Sequence, residues 1–283
     1  MIIVTNKKKI LLVKAPTGEY FENLKKDEDL RSSYTYSKPL ISTALALLHS
    51  FLKKYGRYYY DITVIDFEID ELLDSKDGYA CPRKIKERID KVFNSEEYDA
   101  LALSVMFSVN HKWADYISYL SKKKNPRSAV IIGGGYPTVF PEKSFTKTKC
   151  DYAVIGEGED TLLHLLNNIF GNKPKEFNKL FSDISGYVFR DIHGDIISIP
   201  KTTFIDDLDL IPMPDWDALR GEEYFAKNRD PSIASGYYFP VLTTRGCPYL
   251  CTFCSVYQSD GRKMRCRSID NIIHEIDYLE FAH

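Results

Sequence analysis

No apolar run in the chain approaches the roughly 20 residues that a membrane-spanning helix needs. The N-terminal "MIIVTNKKKILLV" carries its lysines after its first apolar residues, the reverse of a secretory leader. A cytoplasmic setting is the expectation. Positive charge is not in surplus either: 38 basic residues face 40 acidic ones, a formal net charge of -2. That balance offers nucleic acid no broad attractive field. The short clusters Lys7 to Lys9 and Lys122 to Lys124 read as solvated ends of a strand and a helix. Phosphate-binding signatures are missing too. There is no G-x-x-x-x-G-K-[ST] loop, and a G-x-G-x-x-G fingerprint belongs on the first strand-helix turn, whereas Gly133 to Thr138 comes late and ends in Thr. Cysteine is scarce, six in 283 residues, and a reducing compartment disfavours disulfides. Yet Cys247, Cys251 and Cys254 crowd into "TTRGCPYLCTFCSV".

What is present is globular in composition, 44% hydrophobic and 28% charged, and the length suits two units of domain size. Five apolar runs recur: "KILLVKAP" (9 to 16), "DITVIDF" (61 to 67), "YDALALSV" (98 to 105), "SAVIIGGG" (128 to 135) and "DYAVIGEGE" (151 to 159). They lack polar alternation, as strands buried on both faces do. Helical patterns separate them. In "KPLISTALALLHSFLKKYG", Ile41, Leu45, Leu48 and Leu52 form a stripe, Pro39 suits the first turn and Gly56 can end the helix. In "NHKWADYISYLSKKK", Asn110 can cap and Trp113, Tyr116, Ile117 and Leu120 form the stripe. "EDTLLHLLNNIFG" closes the series. This pattern predicts an α/β fold, a doubly wound five-stranded parallel sheet over residues 1–171, with its ligand site at the C-terminal strand ends. Two of those ends, "GGGYPT" and "GEGE", are stripped of side chains, which suits either tight turns or the close approach of a large ligand.

Taken in order, "PLISTALALL", "ALSVMFSVN", "VIIGGGYPTVFPE" and "DYAVIGEGEDTLLHLL" resemble the cobalamin-binding domain that precedes the catalytic barrel of many radical S-adenosylmethionine enzymes. The resemblance implies a flavodoxin-like fold with cobalamin over the strand ends. By position it implies contacts from Ser104, Gly133, Gly134, Gly135, Gly156, Glu157 and Gly158. One feature departs from the methionine synthase type. "KAPTGEYFENL" holds no His to replace the tail base on cobalt, so no histidine ligand is expected, and a domain that kept its shape but lost the cofactor stays open.

Residues 172–239 read as a linker. "SGYVFRDIHGDIISIP" is a hairpin signal turning at His193 and Gly194. "FIDDLDLIPMPDWDALR" is acidic and broken by proline, resembling the linker of the same family, with Trp216 and Asp217 expected to pack across an interface.

From Pro240 a short β-branched strand leads into the cysteines, and "SIDNIIHEIDYLEFA" follows as a helix capped by Ser268, with Ile272, Ile273, Ile276 and Leu279 on one side. Counting alone leaves zinc open, with Cys266 as fourth ligand. A set of three thiolates would instead leave one iron of a 4Fe-4S cluster free for an exogenous ligand. The C-x3-C-x2-C spacing, with Phe253 before the last cysteine and "RGCP" leading in, resembles the cluster loop of radical S-adenosylmethionine enzymes. The resemblance implies Cys247, Cys251 and Cys254 as cluster ligands, S-adenosyl-L-methionine chelated at the open iron, and a 5′-deoxyadenosyl radical after reductive cleavage. With cobalamin, the implied outcome is methylation of an unactivated carbon of a small-molecule substrate, with a reductant such as flavodoxin or ferredoxin. Cyclisation or rearrangement beside a vestigial cobalamin domain, a non-enzymatic cobalamin module and a zinc-binding interaction domain are the alternatives. Arg265 and Arg267 resemble basic residues that serve packing or the cluster's charge. A full (β/α)8 barrel takes about 200 residues or more, while residues 240–283 provide 44. The expectation is therefore the start of a barrel, with the remaining cofactor contacts beyond His283.

Overall fold

A computed structural model describes residues 7–17, 40–76, 80–181, 184–227 and 239–282. Pro39 and most of "KAPTGEYFENL" lie outside them. The five apolar runs form parallel strands β1 (Lys8–Lys14), β2 (Tyr60–Ile65), β3 (Ala100–Ser104), β4 (Ala129–Gly133) and β5 (Tyr152–Val154). Between them run α1 (Thr43–Gly56), α2 (Phe67–Asp74), α3 (Pro82–Ser95), α4 (His111–Lys124), α5 (Gly135–Val139) and α6 (Pro141–Lys147), and α7 (Glu159–Phe170) follows β5.

Side chains of period two divide each central strand between two cores. Ile10 and Leu12 of β1 join Leu45, Phe51 and Leu52 of α1 and Leu163 and Leu166 of α7. Leu11 and Val13 join Ile85, Ile89 and Phe93 of α3 and Trp113 and Ile117 of α4. Both faces are covered, which is why the strands carry no polar alternation. The spatial order β2-β1-β3-β4-β5 reverses direction between β1 and β3, and such a switch point opens a crevice at the C-terminal strand ends.

The hairpin does more than turn the linker. After α8 (Lys175–Leu180), β6 (Tyr187–Arg190) pairs antiparallel with β5, and β7 (Ile196–Ile199) with β6, so among the described residues the hairpin extends the five parallel strands to a sheet of seven. Val188 is fully buried in the second core, which anchors the addition. His193 sits exposed in the turn, its N–H donating to Asp191 Oδ1 at 2.9 Å.

Two capping expectations change. α1 begins at Thr43, with Ser42 Oγ accepting from Leu45 N at 3.2 Å. Asn110 occupies the cap position of α4 without capping it. Its amide instead donates to Pro16 O at 2.8 Å and accepts from Phe107 N at 3.1 Å, tying together the loops after β1 and β3.

The connecting segment runs along α1 with two short 3-10 turns, Leu208–Leu210 and Asp217–Leu219, and then α9 (Gly221–Lys227). Trp216 is buried, edge-on to Phe225 with ring centroids 5.7 Å apart. Asp217 is exposed, and it is Asp215 that reaches α1, accepting from Lys53 Nζ at 2.9 Å and lying 3.0 Å from His49 Nδ1. The last unit is an antiparallel pair, β8 (Thr244–Arg245) with β9 (Arg265–Cys266), enclosing the cysteine loop and α10 (Val256–Asp260), followed by α11 (Ile269–Ala282). The expected apolar stripe of α11 is only half covered: Ile273 and Ile276 are exposed, and Glu275 is the residue turned inward, paired with Arg267.

Candidate functional site

The glycine-rich turn after β4 is built on the backbone of β3. Val105 N donates to Gly133 O at 2.7 Å, and Tyr136 N returns to Val105 O at 3.0 Å. Gly134 has φ 103°, and a Cβ there would lie 2.9 Å from Val105 O, while one on Gly135 would lie 2.7 Å from Met106 O. These glycines therefore serve close approach of two chain segments. Ser104 ends β3 beside them, its carbonyl accepting from Ala15 N at 2.8 Å.

Thr138 links this turn to the second one. Its hydroxyl donates to Gly134 O at 2.8 Å and accepts from Gly156 N at 2.9 Å. Gly156, at φ 74°, leaves no room for a side chain, because a Cβ would meet Ser259 O at 3.0 Å and Gln258 O at 3.3 Å. Both oxygens belong to α10, so the segment just after the cysteines rests on the glycine turn. Gly158 precedes α7 with ordinary contacts only. On the same edge of the sheet, the loop after β3 exposes Met106, Phe107 and Val109. That apolar rim suits the face of a large flat ligand.

The acidic residues of "GEGE" are turned to the cysteine unit. Glu157 is 4% exposed and takes both guanidinium nitrogens of Arg265, at 2.5 and 3.0 Å, together with Ile205 N at 3.1 Å. Its carboxylate is thus occupied by the chain itself. Glu159 accepts from Arg245 at 2.5 Å. Burial opposes ionisation of Glu159, and the Arg245 charge overcomes it, holding the carboxyl below its ordinary range. At Glu157 burial wins and lifts the carboxyl above its ordinary value against the bond from Arg265. Neither Arg265 nor Arg267 is left free: Arg267 pairs with Glu275 and donates to Leu242 O at 3.0 Å.

The cysteine loop itself is held by backbone. Cys247 N donates to Gly261 O at 3.0 Å and Cys254 N to Cys251 O at 3.2 Å. Gly246, at φ 90°, passes so close to Lys263 O that a Cβ would lie 2.1 Å from it. All three thiols are free, Cys251 exposed and the other two half-buried, while Cys266 stands exposed on β9 opposite Thr244. Among the described residues no three Cys, His, Asp or Glu side chains are gathered as a ready metal site. The structure thus brings the two glycine turns and the cysteine loop together through Thr138, Gly156, Arg245 and Arg265. Of these, Thr138 and Arg245 lay inside the quoted motifs "GGGYPT" and "RGCP" without being assigned a role of their own.

The chain thus joins a doubly wound sheet of this order, with glycine turns at its C-terminal edge, to a three-cysteine loop. Residues 37–166 match the B12 binding domain family. Among curated proteins, the chain is 24% identical over 259 residues to the cytidylyl-2-hydroxyethylphosphonate methyltransferase of Streptomyces wedmorensis, covering 82% of this chain and 47% of that protein. It is 26% identical over 276 residues to an uncharacterised methyltransferase of Pyrococcus horikoshii, covering 97% and 51%. The fold is shared with the cobalamin-dependent S-adenosylmethionine radical enzyme OxsB with aqua-cobalamin bound, at TM-score 0.65 and 20% identity over 98% of this chain and 32% of that one. It is shared also with the radical S-adenosylmethionine methyltransferase TsrM from Kitasatospora setae, at TM-score 0.64 and 16% identity over 98% and 46%. The chain spans about half, or less, of the length of these relatives. Among the described residues no helix is long and apolar enough to cross a membrane.

Proposed function

We propose that the chain carries the cobalamin domain and the cluster loop of a radical S-adenosylmethionine methyltransferase acting on an unactivated carbon of a small-molecule substrate. The observation that carries this reading is the contact between Gly156 of the B12-type domain and α10, which directly follows the three-thiol loop. It brings the segment after the cysteine loop against the glycine turn, which supports two cofactor sites lying close together. The donor chemistry fits: three reduced thiols in one loop suit an iron-sulfur cluster with an open iron, and the strand ends offer glycine backbone and an apolar rim to a corrin. Cys247, Cys251 and Cys254 would hold the cluster, their side chains converging when metal binds. Gly133 to Gly135 and Met106, Phe107 and Val109 would line the cobalamin. Together the bound groups would supply reductive cleavage of S-adenosyl-L-methionine and carriage of a methyl group, with electrons from a donor such as flavodoxin or ferredoxin. The chain's own part is to hold the two sites in register and, with the rim, to keep water off the corrin face.

Anaerobic reconstitution tests this directly. The protein should take up about four irons with brown absorbance, lost on Ala replacement of Cys247, Cys251 or Cys254 and kept in Cys266→Ala. Titration with hydroxocobalamin should change its spectrum, and Val109→Glu, an exposed change on the rim, should weaken the binding. Stoichiometric zinc that depends on Cys266, or no response to saturating hydroxocobalamin, overturns the reading.

A further inference from the structure

The cysteine loop has almost no core of its own. Of residues 246–264 only Gly261 is buried, against the ring of Phe204. A segment with so little burial is not positioned by hydrophobic packing and opens easily. Something else must fix where the thiols stand, and the two ends of the loop show what does. Arg245 lies two residues before Cys247, and Arg265 opens β9 at the far end. Both are buried, and they reach across to the two carboxylates of one turn, Arg245 to Glu159 at 2.5 Å and Arg265 to Glu157 at 2.5 and 3.0 Å. Arg265 also donates to Ile205 O at 2.7 Å and to Asp260 O at 2.6 Å, so that Nη1 and Nη2 are both held by the chain.

We infer that these ion pairs, coupled by Arg245 Nη1 at 3.5 Å from Glu157 Oε1, form a buried latch in which Arg245 and Arg265 are positioning residues, placing the cysteine loop by the glutamates of the glycine turn. Buried pairs suit this task. Their geometry is strict, and breaking one partner leaves a charge stranded away from water. Gly156 adds the contact that makes the register tight, since α10 sits against its bare backbone. A displacement of the turn is therefore transmitted to the loop, and the reverse. That the loop holds metal rests on the function proposed above; the latch itself does not.

Hydrogen-deuterium exchange on the full chain, read by mass spectrometry, separates the two. Glu157→Gln and Arg265→Met should each speed exchange in residues 246–264 about tenfold or more, with β1, β3 and β4 unchanged. The double variant strands no charge, so its exchange should be slower than the product of the two single effects. Arg265→Lys keeps the charge but loses the fork, and it should fall between wild type and Arg265→Met. It also tests the latch if the harsher variants do not fold. Unchanged loop exchange in the single variants, or single effects that simply multiply, overturns the latch. Iron retained by the reconstituted variants after gel filtration gives the second reading. A loosened loop with less iron supports both latch and metal site, whereas a loosened loop in a protein that never takes up iron keeps the latch and removes the proposed metal site.

Discussion

Replacing Gly134 by Ala should be among the costliest single-methyl additions in the chain. Its backbone, φ 103° and ψ -165°, lies in a region that essentially glycine alone adopts, and a side chain held there costs about 1 to 3 kcal/mol. The new Cβ would also stand 2.9 Å from Val105 O and 3.2 Å from both Val105 C and N. Those are backbone atoms of a strand end bonded in both directions, to Gly133 O and from Tyr136 N. They cannot rotate away as a side chain can. Overpacking of this kind costs about 1 to 3 kcal/mol, and a ladder hydrogen bond lost in making room adds about 1. The total expected is about 3 to 7 kcal/mol.

Gly171 provides the control. It too has positive φ, 69°, but nothing lies within 4 Å of its prospective Cβ, so Gly171→Ala should cost only the left-handed penalty, about 1 to 2 kcal/mol. Urea unfolding of both variants, followed by far-UV circular dichroism and tryptophan fluorescence together, measures the difference and checks that the probes coincide. Equal midpoints for the two would show that the turn does not depend on the approach of Gly134 to Val105. The explanation of the glycine run as a packing device would then be wrong.

Trp216→Ala should cost about 3 to 5 kcal/mol, as removal of a fully packed ring does, whereas Trp216→Phe should recover most of that, because the buried Nε1 makes no hydrogen bond among the described residues. Equal urea midpoints for the two variants would refute the packing role. The carboxyl of Asp215 is held well below its ordinary value, first by the hydrogen bond from His49 and then, against partial burial, by Lys53. A depressed carboxylate stabilises the fold above its unfolded pKa and loses that contribution as pH falls through the folded one. Asp215→Asn should hence flatten the acid limb of melting temperature against pH below about 4, and a curve parallel to wild type would refute it.

The sheet was open to reading from sequence for a definite reason. Strands buried on both faces appear as continuous apolar runs, and five such runs separated by helical stripes admit few arrangements. The hairpin showed itself by its turn, but not its docking. Alternation says that β6 and β7 pair with each other, while the choice of β5 as their neighbour depends on which sheet edge is free. Asn110 illustrates a similar limit. Residue type marks it as a helix cap, and the same amide serves equally to bind Pro16 O, 94 positions away in sequence. On α11 the isoleucine spacing suggested the covered side, and the inward residue is Glu275 because Arg267 supplies its partner.

The functional edge was half legible, and the missing half is electrostatic. Bare backbone at "GGGYPT" and "GEGE" suited either tight turns or the approach of a ligand. On the side where a Cβ would stand, Gly134 meets Val105 and Gly156 meets α10. Glycine announces a close approach without saying what approaches. The resemblance implied Glu157 as a cobalamin contact, and no ion pair was read for either glutamate, because their partners lie 108 positions away for Glu157 and 86 for Glu159, beyond the reach of any local pattern. A clue did exist on the other side. In "TTRGCPYLCTFCSV" and "KMRCRS" an arginine stands at each end of a loop whose interior holds scarcely an aliphatic residue able to bury itself. Its larger apolar residues, among them Tyr249, Leu250, Phe253 and Val256, stand exposed, so the charges at its ends carry the placement. The nearest acidic pair set in an otherwise side-chain-free turn was "GEGE".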